Sequence, residues 1–130
     1  MDLDQRHFGP YNFIAKLLLP ALSAAAMRTS RAQTWVDEGR VACAIERYRL
    51  EHQNPPDRLS ELKPRFIPKI PVDLFDGRPL RYQAEADGSY ILYSIAWNEV
   101  DDGGVSALTT GKTPSTDPTQ GDWVWKCPAK

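Results

Sequence analysis

The distribution of proline divides this chain into two parts. Of the eleven prolines, only Pro10 and Pro20 precede residue 54, and residues 21–53 contain none. Proline removes a backbone donor and clashes with the preceding helical turn, so the proline-free stretch is compatible with one long helix. The prolines and glycines that follow predict short elements joined by turns. We therefore expect a long N-terminal helix followed by a small sheet.

The predicted helix carries an apolar stripe. Val41, Ala44, Ile45 and Tyr48 recur at the spacing of one helix face, which is typical of a helix that packs on a core. The Asn-Pro-Pro sequence at residues 54–56 predicts the end of the helix, because a residue before proline avoids the helical conformation.

The N-terminal part of this helix is apolar but short for a membrane span. Residues 13–27 read FIAKLLLPALSAAAM, with Lys16 inside the run, whereas a span takes about 20 apolar residues. Pro20 predicts a kink. We expect residues 13–27 to mediate self-association or membrane association, with a signal-peptide cleavage site at Ser23–Ala26 as the alternative.

The second part of the chain predicts strands and one short helix. The strands are expected at residues 80–84, 89–97 and 122–127, with a fourth at 105–108, and the short helix at 57–62. Asp87-Gly88 is a hairpin signal. The predicted fold class is α+β, with a three- or four-stranded antiparallel sheet. The helix stripe should pack against Tyr82, Ile91, Tyr93 and Ile95, or against the residues that alternate with them.

Charge and motifs exclude several functions. The net charge is −1, from 16 basic and 17 acidic residues, and such a balance argues against a nucleic-acid partner bound through phosphate neutralisation. The sequence contains no nucleophile elbow, P-loop or metalloprotease motif. We therefore predict a protein that is not an enzyme.

Two residue types leave alternatives open. Cys43 and Cys127 are either two thiols or a disulfide that forms if the C-terminal strand lies against the helix. Trp123 and Trp125 share one face of the last predicted strand. They either pack on the helix as core or form an exposed aromatic patch for a partner or glycan.

The order of several short motifs resembles that of a known family. After the Tyr-Arg turn at residue 48 come PPDRLSEL, IPKIPVD, FDGRPLRY, YILYS, DDGG and DW. This order resembles the major pseudopilin of type II secretion over roughly residues 36–125. The segment from Leu18 to Gln33 is similar to the pilin N-terminal helix. The resemblance implies a lead-in and stem helix at residues 1–33 and a globular head at residues 34–130.

The resemblance also implies a function and a metal. It implies a non-enzymatic assembly subunit, located outside the cytoplasm, that contacts protein partners through helix packing. It further implies calcium in the acidic loop, with Asn98, Asp101, Asp102 and Asp122 as ligands and Ser94 as an added oxygen; a solvated turn is the alternative. The alternative function is an extracytoplasmic protein- or ligand-binding domain appended to a larger membrane protein.

Overall fold

One helix dominates the computed structural model, which describes residues 10–106 and 121–129. The helix α1 spans Pro10–His52 and contains Pro20. It continues through Pro20 without a break, so the proline does not divide it; the kink stays a prediction. Gln53 follows with a positive φ of 68°, and the proline pair begins two residues later. The helix therefore ends where the sequence predicts.

Three antiparallel strands follow the helix in the described part of the chain. They are β1 (Arg81–Ala84), β2 (Tyr90–Ser94) and β3 (Trp123–Cys127), and β2 lies in the centre. A 3₁₀ helix at Leu59–Leu62 lies within the short helix predicted at 57–62, and its two leucines are buried. Ser106 forms an isolated bridge with Gly121, while residues 107 and 108 of the fourth predicted strand lie outside the described residues. The α+β class is confirmed.

The turn between β1 and β2 is the hairpin predicted at Asp87-Gly88. The Glu85 amide donates to the Ser89 carbonyl at 2.9 Å, and the Gly88 amide donates to the Glu85 carbonyl at 3.0 Å. Gly88 has a φ of +82°, which glycine adopts without a steric penalty. The turn sets the register in which Ala84 lies opposite Tyr90.

The core lies between α1 and one face of the sheet. Val41, Ala44 and Ile45 of α1 are buried in one cluster with Tyr90 and Leu92 of β2. The strand residues that meet the helix therefore alternate with Ile91, Tyr93 and Ile95, which is the second of the two predicted arrangements. Tyr82 is partly buried and packs against the cluster. Burying each aliphatic side chain stabilises the fold by about 1.5–3 kcal/mol, so this stripe holds the helix on the sheet.

Candidate functional site

The N-terminal half of α1 projects a set of exposed apolar side chains. From residue 12 to residue 29, every residue except Met27 is exposed. The six large apolar side chains, each between 50% and 66% exposed, are Phe13, Ile14, Leu17, Leu18, Leu19 and Leu22. We call this segment the stem. Large contiguous apolar surfaces of this kind mark interaction sites.

The apolar side chains of the stem cover most of its circumference. At about 100° per residue, the six spread over about 240° of the helix, and Lys16 and Ser23 lie in the remaining sector. A helix that is apolar over so broad an angle can pack against more than one neighbour. Among the described residues, no helix combines the length and apolarity needed to cross a membrane.

Burial in α1 begins at Thr34, the first buried side chain among those described in this helix. Asp37 and Glu38 follow, and both are buried. Asp37 accepts a hydrogen bond from Gln33 at 3.1 Å and pairs with Arg40. The first buried side chains of α1 after the stem are therefore polar.

The acidic loop is closed by Asp122, at the start of β3. Its carboxylate accepts the backbone amides of Gly104 at 2.7 Å and Asp102 at 3.3 Å, and only 2% of the residue is exposed. Burial is the main cause that raises the pKa of Asp122; the two amides oppose it, and the Asp102 and Asp101 carboxylates add to it. The structure thus joins the loop to the last strand.

The other predicted ligands lie in the same loop, but their oxygens have partners. Asn98 donates its amide to Asp102 at 3.1 Å. Asp101 accepts the Tyr93 hydroxyl at 3.3 Å, and its carboxylate lies 3.5 Å from the Arg81 guanidinium. All four side chains are therefore brought into one hydrogen-bonded region, and Arg81 supplies a positive charge to it.

These four side chains do not form a calcium shell as they are arranged. Calcium takes six to eight oxygens, whereas both oxygens of Asp122 accept backbone amides and Asp101 faces an arginine. Within the described parts of the chain, no group of three or more His, Cys, Asp or Glu side chains is placed to hold a metal. Calcium at this loop stays a prediction that would require rearrangement.

Ser94 does not belong to the loop, contrary to its suggested role as an added ligand. Its hydroxyl donates to Asp73 at 2.9 Å and accepts the Ala96 amide at 3.1 Å. Ser94 faces the helix side of the sheet, opposite Trp123. Its oxygen therefore serves a different buried carboxylate.

Asp73 is a buried carboxylate that accepts several hydrogen bonds, and the sequence analysis assigned it no role. It also accepts the backbone amides of Ile95 at 2.9 Å and Phe75 at 3.0 Å, and it pairs with Arg81 at 3.0 Å. Only 1% of the residue is exposed. The Ile-Pro-x-x-Pro-x-Asp motif ends at this residue, so the motif marked the position without indicating its function.

Glu38 is a second residue that the sequence reasoning missed. It is fully buried, and neither carboxylate oxygen has a hydrogen-bond partner among the described residues. Desolvation, followed by the Asp73 charge, raises the pKa of Glu38 to about 8. The sequence did indicate this burial, because Glu38 lies three residues before Val41 and seven before Ile45, on the same helix face as the apolar stripe.

The tryptophans of β3 divide between core and surface. Trp123 is buried and packs edge-on against Phe75, at 5.3 Å between ring centroids, which confirms the core alternative for this residue. Trp125 is 40% exposed and lies over Gly39, where an added Cβ would be 3.9 Å from its ring. Of the two β3 tryptophans, only Trp125 is therefore exposed enough to contribute to an aromatic patch.

The two cysteines are free thiols, as in the first of the two alternatives. Cys43 is exposed, and the half-buried Cys127 points its sulfur at Glu46, 3.6 Å away. The strand that carries Cys127 does lie against the helix. No disulfide joins them.

The comparisons with known proteins add no relative. No protein-family model matches the chain, and neither the curated proteins nor the solved structures include a significant match. The fold is that of an α+β protein in which the N-terminal half of the long helix is largely exposed.

Proposed function

We propose that this protein is a non-enzymatic, pseudopilin-like assembly subunit located outside the cytoplasm. The observation that carries the proposal is the stem, a helical segment with six large apolar side chains at least half exposed. Leaving this surface in water is unfavourable, by about 25 cal/mol per Å² of apolar area. In this proposal the stem contacts other subunits, while the head stays folded without those contacts.

The breadth of the apolar face favours association between several helices. A coiled-coil dimer needs only a narrow seam, whereas the stem is apolar over about 240° of its circumference. Stems of several copies, packed side by side, would cover this surface. A membrane surface is the other apolar phase that residues 13–27 could enter, and the proposal includes it as a partner.

The test measures association of the full chain. We expect light scattering and sedimentation to show concentration-dependent oligomers, and a Leu17→Ser/Leu18→Ser/Leu22→Ser variant to be a monomer with an unchanged head. Leu50→Ser is the matched control, because Leu50 is 77% exposed at the other end of the same helix. Flotation with neutral lipid vesicles measures membrane association with the same three proteins.

The result that overturns the proposal is a full chain that stays monomeric and does not float with vesicles. A version that begins at Ser30 provides a second comparison, because it lacks the stem. If the two lengths behave alike, the stem has no role in assembly.

A second candidate is an extracytoplasmic binding domain appended to a larger membrane protein. It is favoured by the exposed Trp125 and by Trp35, which is 52% exposed on α1 and stacks with the Arg31 guanidinium at 4.7 Å. Aromatic residues and arginine are common at the centres of protein interfaces. A Trp35→Ala/Trp125→Ala variant that associates normally but loses a partner would favour this candidate.

A further inference from the structure

A groove with an apolar floor and a basic rim lies on the head, away from the stem. Its volume is about 510 Å³, within the range of ligand and peptide sites. The floor includes Ile70, Val72, Leu80 and Tyr82. Of these, Val72 is 42% exposed and Leu80 is buried. The groove thus offers apolar surface to a protruding apolar side chain.

The rim of the groove carries three cations that form no ion pair with another described residue. Arg58, Lys63 and Lys69 line it together with one acid, Asp57. Among the ion pairs formed by the described residues, none includes any of these three cations. The rim is therefore positive overall, and it fits an occupant with a small apolar group between acidic groups.

The acidic loop of the same protein has this chemistry. Val100 is 54% exposed, and the flanking residues Glu99, Asp101 and Asp102 are also exposed. The loop is held by Asp122, Tyr93 and Arg81, and none of these lines the groove. In each copy the loop and the groove are therefore formed by separate sets of residues.

We propose that the acidic loop of one copy docks in the basic-rimmed groove of the next copy. Val100 enters the apolar floor, while Glu99 and Asp102 face Lys63 and Lys69. The contact joins two different surfaces, so it is heterologous and can repeat from copy to copy. This proposal rests on the proposed function and names a head contact beside the stem contact.

The direct test is cross-linking of the wild-type full chain. Equal amounts of unlabelled and ¹⁵N-labelled protein are treated with a zero-length carbodiimide, which joins amines to carboxylates in contact. We expect mixed-isotope peptides that link Lys63 or Lys69 to Glu99 or Asp102. Inter-chain links that join these lysines only to other acids, or no inter-chain links at all, would overturn the proposal.

Charge reversal provides the second test. We expect Lys63→Glu/Lys69→Glu and Glu99→Lys/Asp102→Lys each to weaken association of the full chain by about tenfold or more, since like charges would meet. A mixture of the two variants should associate again, because the charges are complementary. Lys126→Glu is the control, as Lys126 is exposed on β3 and lies outside the groove.

The two proposals fail in different ways. If association depends on the stem leucines but neither reversal weakens it, the head contact is wrong and the proposed function stands. If the stem variant associates like wild type while the reversals weaken association, the stem proposal is wrong. Rising salt should weaken the head contact but not the stem contact.

Discussion

Glu38 lies one helical turn before Val41 on the stripe of α1 that packs against the sheet, and both side chains are fully buried. Val41 belongs to the apolar core, whereas the Glu38 carboxylate has no hydrogen-bond partner in the described part of the chain. A buried carboxylate without a partner is stable only when it is protonated. We therefore expect the stability of this part of the helix to depend on pH.

Replacing Glu38 should remove a pH dependence of stability. The pKa of Glu38 is raised to about 8 from the ordinary 4.5, so its contribution is fully present below pH 4.5 and is lost as pH rises to about 8. We expect Glu38→Gln to match wild type near pH 4.5 and to unfold with a free energy about 3–5 kcal/mol higher above pH 8. Urea denaturation across pH measures this, with the exposed Glu85→Gln as control. Parallel curves for Glu38→Gln and wild type would contradict it.

Removing the Asp73 carboxylate should destabilise the head strongly. Asp73→Ala leaves the Ser94 hydroxyl, the Ile95 amide and part of the Arg81 guanidinium without their acceptor. Loss of a buried charged partner costs about 3–5 kcal/mol. Asp76→Ala is the matched comparison, because Asp76 also pairs with Arg81 but lies at the surface. Equal melting temperatures for the two variants would show that Asp73 is not the central acceptor.

Adjacent glycines of the acidic loop should respond differently to alanine. Both have a positive φ, +70° at Gly103 and +79° at Gly104, which alone costs alanine about 1–2 kcal/mol. A Cβ on Gly104 would lie 2.6 Å from Ile91 Cδ1, at the end of a flexible side chain, and 3.2 Å from the Tyr93 ring, whereas a Cβ on Gly103 meets nothing within 4 Å. We expect Gly104→Ala to cost about 1–2 kcal/mol more than Gly103→Ala in chemical denaturation. A larger loss of stability for Gly103→Ala than for Gly104→Ala would contradict the close approach of Gly104 to Ile91 and Tyr93.

Chelation should leave the protein folded. Backbone amides already satisfy Asp122, so we expect the melting temperature in a chelator to equal that in plain buffer. Calorimetric titration then tests the calcium hypothesis itself. A calcium-dependent rise in melting temperature that Asp102→Asn removes would show that the loop rearranges around an ion. A titration without heat and without a thermal shift would end the hypothesis.

The main elements of the fold follow from local patterns in the sequence. The proline-free stretch, the stripe from Val41 to Tyr48 and the turn at Asp87-Gly88 depend on interactions between residues near each other in the chain. The strand that begins at Tyr90 is also local, since aromatic and β-branched residues follow one another there. These patterns also located the loop that contains Asp101 and Asp102.

The face of each strand, and the use of each buried polar group, could not be decided locally. Alternation in β2 allowed either Tyr90 and Leu92 or Ile91 and Tyr93 to meet the helix, because both sets are apolar. Ser94 was open to the acidic loop, whereas the structure places it on the same face of β2 as Tyr90 and Leu92 and pairs its hydroxyl with Asp73. Long-range neighbours make these choices, and a single sequence does not contain their positions.

The sequence by itself determined the long helix, the α+β class and the apolar character of residues 13–27, since each depends on the spacing of nearby residues. Only the tertiary structure decided that the stem is left outside the packed head. It also decided that Asp122 closes the acidic loop through backbone amides and that Glu38 is buried with no hydrogen-bond partner among residues 10–106 and 121–129. These features depend on which distant residues exclude water from a side chain, and that is settled when the helix packs on the sheet.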